Sequence, residues 1–254
     1  MLLFLLVTPA SLAATLTVGT DGTYGSIGEA IAASADGDTI EVGPGSYPEN
    51  VNFNGKGVTI RSIDGREATT IIGDGTASVT ARSGESRASQ LIGFTIQGLN
   101  HTCIHTEGSS PRLADLTVEN CGHTTTPTGG GAMVNGGEPF FDDVDFYNNQ
   151  ALVGGAMHIT DVADMSMRNC TFSNNLAGSG GAIHVANSVV AIETLELVEN
   201  HASTGDGGGL WAQNCELTVT GGRFEDNTAV LGGGAIYTSD TTVRVSDLSA
   251  ASGN

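Results

Sequence analysis

Four ring side chains stand out in a chain with only 13 aromatic residues among 254. His158, His184, Trp211 and Tyr237 follow one another at intervals of 26, 27 and 26 residues. Each comes directly after a glycine-rich step ending in an apolar residue: Gly155-Ala156-Met157, Gly181-Ala182-Ile183, Gly208-Gly209-Leu210 and Gly234-Ala235-Ile236. If Met157, Ile183, Leu210 and Ile236 point into a core, strand alternation turns the next residue outward. Trp211 and Tyr237 then offer π-faces to the C–H faces of a sugar, while His158 and His184 can donate hydrogen bonds or share a transition metal. These four are the candidate ligand-binding residues; the alternative is that the rings stabilise a sheet or lie under a loop. Asp142, Asp143 and Asp145 form the densest acidic group and are the weak candidates for calcium; no resident cofactor is otherwise expected. In so anionic a chain, a solvated acidic face is the plainer explanation.

The elements that carry these residues repeat. Phe146-Tyr-Asn-Asn149, Phe172-Ser-Asn-Asn175, Leu197-Val-Glu-Asn200 and Phe224-Glu-Asp-Asn227 recur at 26, 25 and 27 residues. Apolar residues alternate within each unit, as at Val144/Phe146 and Cys170/Phe172, which is the period of a strand. The same skeleton occurs upstream as Leu91, Phe94, Ile96 and as Leu113, Leu116, Val118. Short strands and glycine turns without a helical pattern predict an all-β fold, a right-handed parallel β-helix whose coils stack about 4.8 Å apart. In that stack Asn149, Asn175, Asn200 and Asn227 form a structural column at a turn, where asparagine tolerates a left-handed backbone. Ser26 and Glu29 make a capping box for a short helix from Ser26 to about Ala33, with Ile27, Ala30 and Ile31 on one side. Such a helix closes the open end of a solenoid. The expected organisation is a signal peptide over 1–14, an N-terminal cap with first strands over 15–62 and β-helix coils over 63–254. Because Val243, Val245 and Leu248 begin another unit, the natural chain is expected to continue past Asn254.

Charge narrows the partners. Nine basic and 28 acidic residues give a net charge of −19, and Lys56 is the only lysine, which argues against nucleic acid and against an anionic membrane surface. The apolar run Leu2–Val7, followed by Ser11 and Ala13, reads as an export signal too short to span a bilayer, and no other stretch reads as a transmembrane helix. A secreted or outer-membrane-surface location follows as the expectation. Cys103, Cys121, Cys170 and Cys215 lack metal-finger spacing; Cys103 and Cys121 either bridge neighbouring segments or are small core residues. His101, His105, His123 and His201 are read as polar residues beside turns at unmatched coil positions.

The stretch DGTYGSIGEAIAASADGDTIEVGPGSYPENVNFNGKGVTIRS resembles the opening of pectin-lyase-like β-helix proteins. The FYNN, FSNN and FEDN motifs, each followed by GGAM or GGAI, resemble the FxxN and GGAI repeats of chlamydial polymorphic outer-membrane proteins. Both resemblances imply the β-helix; they imply little about activity, because the superfamily holds lyases, hydrolases, esterases and adhesins. The Gln-Asp-Thr-Leu-like motif of pectinesterases is missing: Gln90, Gln97, Gln150 and Gln213 are followed by Leu, Gly, Ala and Asn. The outward columns Asp145, Thr171, Glu196, Arg223 and Tyr147, Ser173, Val198, Glu225 stack no carboxylates on adjacent coils, as a pectate-lyase-like calcium site would need. Nor do the Asn-Thr-Asp and His-Gly motifs of polygalacturonases occur. With no catalytic residue identified, the expected function is a surface binding or adhesive module for a glycan or other surface polymer. The alternatives are a polysaccharide-processing enzyme and a purely structural passenger.

Overall fold

The computed structural model describes residues 12–254. Residues 1–11, which hold most of the expected export signal, lie outside the described residues. The chain winds into an all-β, right-handed parallel solenoid of about nine turns, with one helix among the described residues.

Three parallel sheets run along the solenoid. The long sheet starts at Thr15–Val18, Thr39–Val42 and Thr59–Ser62, and continues through Gln90–Leu99, Arg112–Gly122 and Phe140–Tyr147. Met165–Ser173, Val189–Val198, Glu216–Glu225 and Thr242–Ser252 complete its main path, while Gly45–Tyr47 and Thr69–Gly73 pair beside it. A second sheet of eight short strands includes Ile104–Glu107, Ala132–Asn135, Met157–Thr160, Ile183–Ala186, Leu210–Gln213 and Ile236–Ser239. The third is formed by Leu176–Ala177, His201–Ala202 and Thr228–Ala229. The pairing is in register from coil to coil, so Val118, Phe146, Phe172, Leu197 and Phe224 stack inward in one row. Phe146 and Phe172 lie nearly parallel with ring centroids 4.7 Å apart, and both are fully buried.

Each long strand carries a left-handed residue in its middle: Asp115, Asp143, Asn169, Thr194 and Asp247, with Gly93 and Gly221 in the same role. The extra residue bends the strand without losing register, since Asp142 still pairs with Arg168 and Val144 with Cys170. The turn after the long strand carries the buried asparagine column. Asn175 Oδ1 accepts from both the backbone N and Nδ2 of Asn149, and Asn175 Nδ2 donates to Phe146 O and to Asn200 Oδ1. Asn200 and Asn227 repeat the pattern, and Asn254 supplies the acceptor for Asn227. The column stands where the sequence puts it, but for a different backbone reason. The left-handed residues are the ones just before it, Asn148, Asn174, Glu199 and Asp226, whereas the ladder asparagines satisfy the polar groups that a buried turn strands.

Helix Ile27–Ala33 has Ser26 as its N-cap, accepting from Glu29 N, while Glu29 Oε2 accepts from Gly25 N. Ile27, Ala30 and Ile31 are fully buried against the first coil, as their common face predicts. Lys56 Nζ donates to the carbonyls of Ala32 and Ser34 at the C-terminal end of the helix, satisfying orphan acceptors and meeting the negative end of its dipole.

Candidate functional site

The second sheet brings the four rings together. Pairing aligns Met157 with Ile183, Leu210 and Ile236, and therefore His158 with His184, Trp211 and Tyr237. The His158 and His184 rings stack 4.9 Å apart with planes 25° apart, and Trp211 lies 4.5 Å from His184 at a 56° tilt. The column extends further than the sequence indicated. His105 pairs with Met133 and Met133 with His158, so His105 occupies the same row two coils earlier. The reading of His105 as an unmatched turn residue is thus corrected. Steps of 28 and 25 residues, and a methionine between the imidazoles, hide the series from a search for rings; the GGAM motif ending at Met133 misleads by one residue, because Ala132 rather than Met133 pairs with the inward Met157. His201 also has a matched position, between Leu176 and Thr228, and its Nδ1 is 2.8 Å from Thr228 Oγ1. His101 is buried beside a turn, its Nδ1 2.9 Å from Leu99 O.

The rings face away from the core, yet they do not form an open platform. His184 is only 6% exposed, and His158, Trp211 and Tyr237 are partly covered. The glycine turns leading into the last three of these strands press against the roots of the rings. A Cβ on Gly180 would come within 3.3 Å of His184 Cβ, and one on Gly207 within 3.0 Å of Trp211 Cβ. Both glycines have positive φ, so a side chain is excluded there by conformation as well as by space. His158 Nδ1, both ring nitrogens of His184 and Trp211 Nε1 are buried without a hydrogen-bond partner among the described residues. Burial, with His158 adding to it, pushes His184 down to about 4, and burial lowers His158 as well. Both imidazoles are therefore neutral at pH 7. Face-to-face rings aim their in-plane lone pairs side by side rather than at a common point, so the pair is not set to share one metal ion.

The aspartate group divides between two sets of arginines. Asp142, 6% exposed, accepts from Arg112 and, through both carboxylate oxygens, from Arg168. The hydrogen bonds from Arg168 and Arg112 hold its carboxyl below the usual range. Asp143, at the left-handed bulge, and Asp145 turn instead toward Arg66, which also reaches Asp115. The three carboxylates do not converge, and no group of three or more metal-ligating side chains occurs among the described residues. The mixed column Asp145, Thr171, Glu196, Arg223 is in register as expected, with Arg223 bridging Glu196 and Glu225. Cys103 and Cys121 form a disulfide between neighbouring coils, settling the choice left open by the sequence. Cys170 is buried, and burial raises its thiol to about 12, which removes it as a nucleophile at neutral pH.

This architecture defines a class of protein, and the chain matches the right-handed beta helix region family over residues 78–249. It belongs to that family. A 34% identical stretch links it to the probable outer membrane protein PmpD of Chlamydia trachomatis serovar D, covering 48% of this chain but 10% of that protein. The chain thus spans about a tenth of the length of this curated relative. Among solved structures, a pectin methylesterase from carrot superposes with a TM-score of 0.55 at 14% identity, covering 96% of this chain and 85% of that one. A mutant pectin methylesterase in complex with a hexasaccharide gives 0.59 at 12% identity, covering 96% and 91%. At those identities the likeness is one of fold. No helix among the described residues is long and apolar enough to cross a membrane.

Proposed function

We propose that the chain is a non-catalytic binding module displayed at a cell surface, taking an extended glycan or related surface polymer along the ring column of the second sheet. The observation that carries this reading is the in-register series His158, His184, Trp211, Tyr237, in which the last two rings keep part of their surface open. A repeat of one ring per coil matches a polymeric ligand better than a small molecule, because each coil adds an equivalent contact. The outer-membrane relative supports the location, and the export signal expected over residues 1–14 accords with it. Calcium has no convergent carboxylate site in support, and the reading does without it.

An array of immobilised glycans tests the proposal directly. Parent protein is expected to be retained on at least one polysaccharide, and Trp211→Ala and Tyr237→Ala to weaken that retention by about tenfold, the value of one stacking contact of about 1.4 kcal/mol. Equal binding by folded Trp211→Ala and Tyr237→Ala variants would remove the ring column from the reading. Depolymerisation or de-esterification of pectin or alginate by the purified chain would replace it with the enzymatic alternative.

A further inference from the structure

We propose that the outer face of the long sheet carries a second saccharide site, a groove across Met165–Ser173, Val189–Val198 and Glu216–Glu225 that takes a neutral, hydroxyl-rich sugar chain. It lies on a different sheet from the ring column and does not depend on the function proposed above.

The groove follows from the stacking of unequal side chains. One outward row of the long sheet runs Phe140, Ser166, Ala191, Thr218, Arg244, so a large side chain stands at either end of three small ones. The next row runs Asp142, Arg168, Glu193, Thr220. Together they shape a cleft of about 390 Å³, with Phe140 and Arg168 at one end and Ala191 exposed in its floor. A volume of this size is within the range of small-ligand sites.

The polar groups of this cleft are left without protein partners. Glu193 lies opposite Arg168 in register, as Glu41 lies opposite Arg61 and Glu196 opposite Arg223. The last two pairs form ion pairs. Arg168 instead turns both Nε and Nη2 to Asp142, and Glu193 has no hydrogen bond or ion pair among the described residues. The hydroxyls of Ser166, Thr218 and Thr220 are equally free. At the Phe140 end, Arg87 holds its guanidinium 5.1 Å from the ring centroid. It is the one arginine without an ion-pair partner among the described residues, and Glu138 acts on it only at longer range.

These groups select the ligand. An ionised carboxylate only accepts, and its two oxygens match two neighbouring hydroxyls; a guanidinium only donates; serine and threonine hydroxyls do both. A sugar serves all three with its hydroxyls, while its C–H faces lie against Ala191 and the open part of Phe140. Charge decides against an acidic polymer, because the chain carries −19 and Glu193 stands unneutralised in the cleft. A cationic ligand is opposed in turn by Arg87 and Arg168. A neutral sugar chain escapes both penalties.

The test follows the methyl resonances of Ala191, Thr218 and Thr220 in the intact protein during titration with cellohexaose, mannohexaose, xylohexaose and, as the acidic probe, oligogalacturonate. At least one neutral probe is expected to shift these methyls saturably, and oligogalacturonate to leave them in place. Ala191→Trp fills the cleft from an exposed position and should abolish the shifts at Thr218 and Thr220. Glu193→Gln should raise the Kd about tenfold, with circular dichroism unchanged in both variants. Absence of methyl shifts with all three neutral probes, unchanged affinity in folded Ala191→Trp or Glu193→Gln, or tighter binding of oligogalacturonate would each overturn the site. The Trp211 indole resonance reports the ring column separately. A probe that moves the indole but not the methyls supports the function proposed above and counts against the groove; the reverse pattern does the opposite.

Discussion

At the scale of single residues, two ionisable groups set opposite demands on pH. His184 is neutral in the fold because burial, and then His158, holds it near 4 instead of 6.5. The unfolded chain therefore takes up this proton first. The stability associated with the neutral ring is intact above about pH 6.5, falls as pH drops through that range, and is fully lost near 4. The full effect is about 3 kcal/mol by linkage. Urea unfolding at pH 7 and pH 4.5 should show the loss in the parent and a much smaller loss in His184→Phe. Asp142 behaves in reverse: its carboxyl is depressed, so its contribution stands above the ordinary aspartate value of 3.8 and disappears only below it. Asp142→Asn should cost about 1–2 kcal/mol at pH 7, because Arg112 and Arg168 lose their shared acceptor but remain partly open to water. That cost should shrink in unfolding curves measured at successively lower pH below 3.8.

At the scale of the element, each coil is held to the next by groups that tolerate no extra atom and no missing one. A Cβ on Gly181 would collide with the carbonyl of Gly208 and the backbone of His201, neither of which can retreat without breaking a coil-to-coil hydrogen bond. Gly181→Ala is expected to destabilise by about 3 kcal/mol or more, read as a lowered urea midpoint with an unchanged slope. Asn175→Ala leaves the buried Asn149 N and Nδ2 without their acceptor and takes the side-chain donor from Phe146 O, while Asn200 Oδ1 keeps only the backbone N of residue 175. The expected cost is about 3 kcal/mol or more, well above that of an exposed asparagine such as Asn187. The FxxN and GGA signatures are therefore signs of stacking: both exist because the next coil lies one strand spacing away.

For the whole molecule, 28 acidic against nine basic side chains make self-repulsion the dominant long-range term. The ion pairs seen are mostly exposed and worth little individually. Added salt should accordingly raise the melting temperature between 10 mM and 300 mM sodium chloride, and a fall instead would show that the ion pairs outweigh the repulsion. The sequence alone determined the solenoid, because a stacked coil must repeat its inward apolar residues, its ladder asparagine and its glycine turn at equivalent positions, and repetition is visible in one dimension. The register of the rings was legible for the same reason: a residue one step after a core position points outward in every coil. Tertiary structure decided what covers them. Whether His184 lies open or buried depends on how the flanking coils pack against it, with His158 on one side and Trp211 on the other, and a spacing along the chain does not state how closely those rings approach. The place of His105 in the column depended on turn lengths that differ between coils, and the pairing of Asp142 with Arg112 and Arg168 joins residues 30 and 26 positions apart. Such contacts arise only when separate coils are brought side by side, since spacing along the chain records the period of a repeat but not what its variable turns and outward side chains meet.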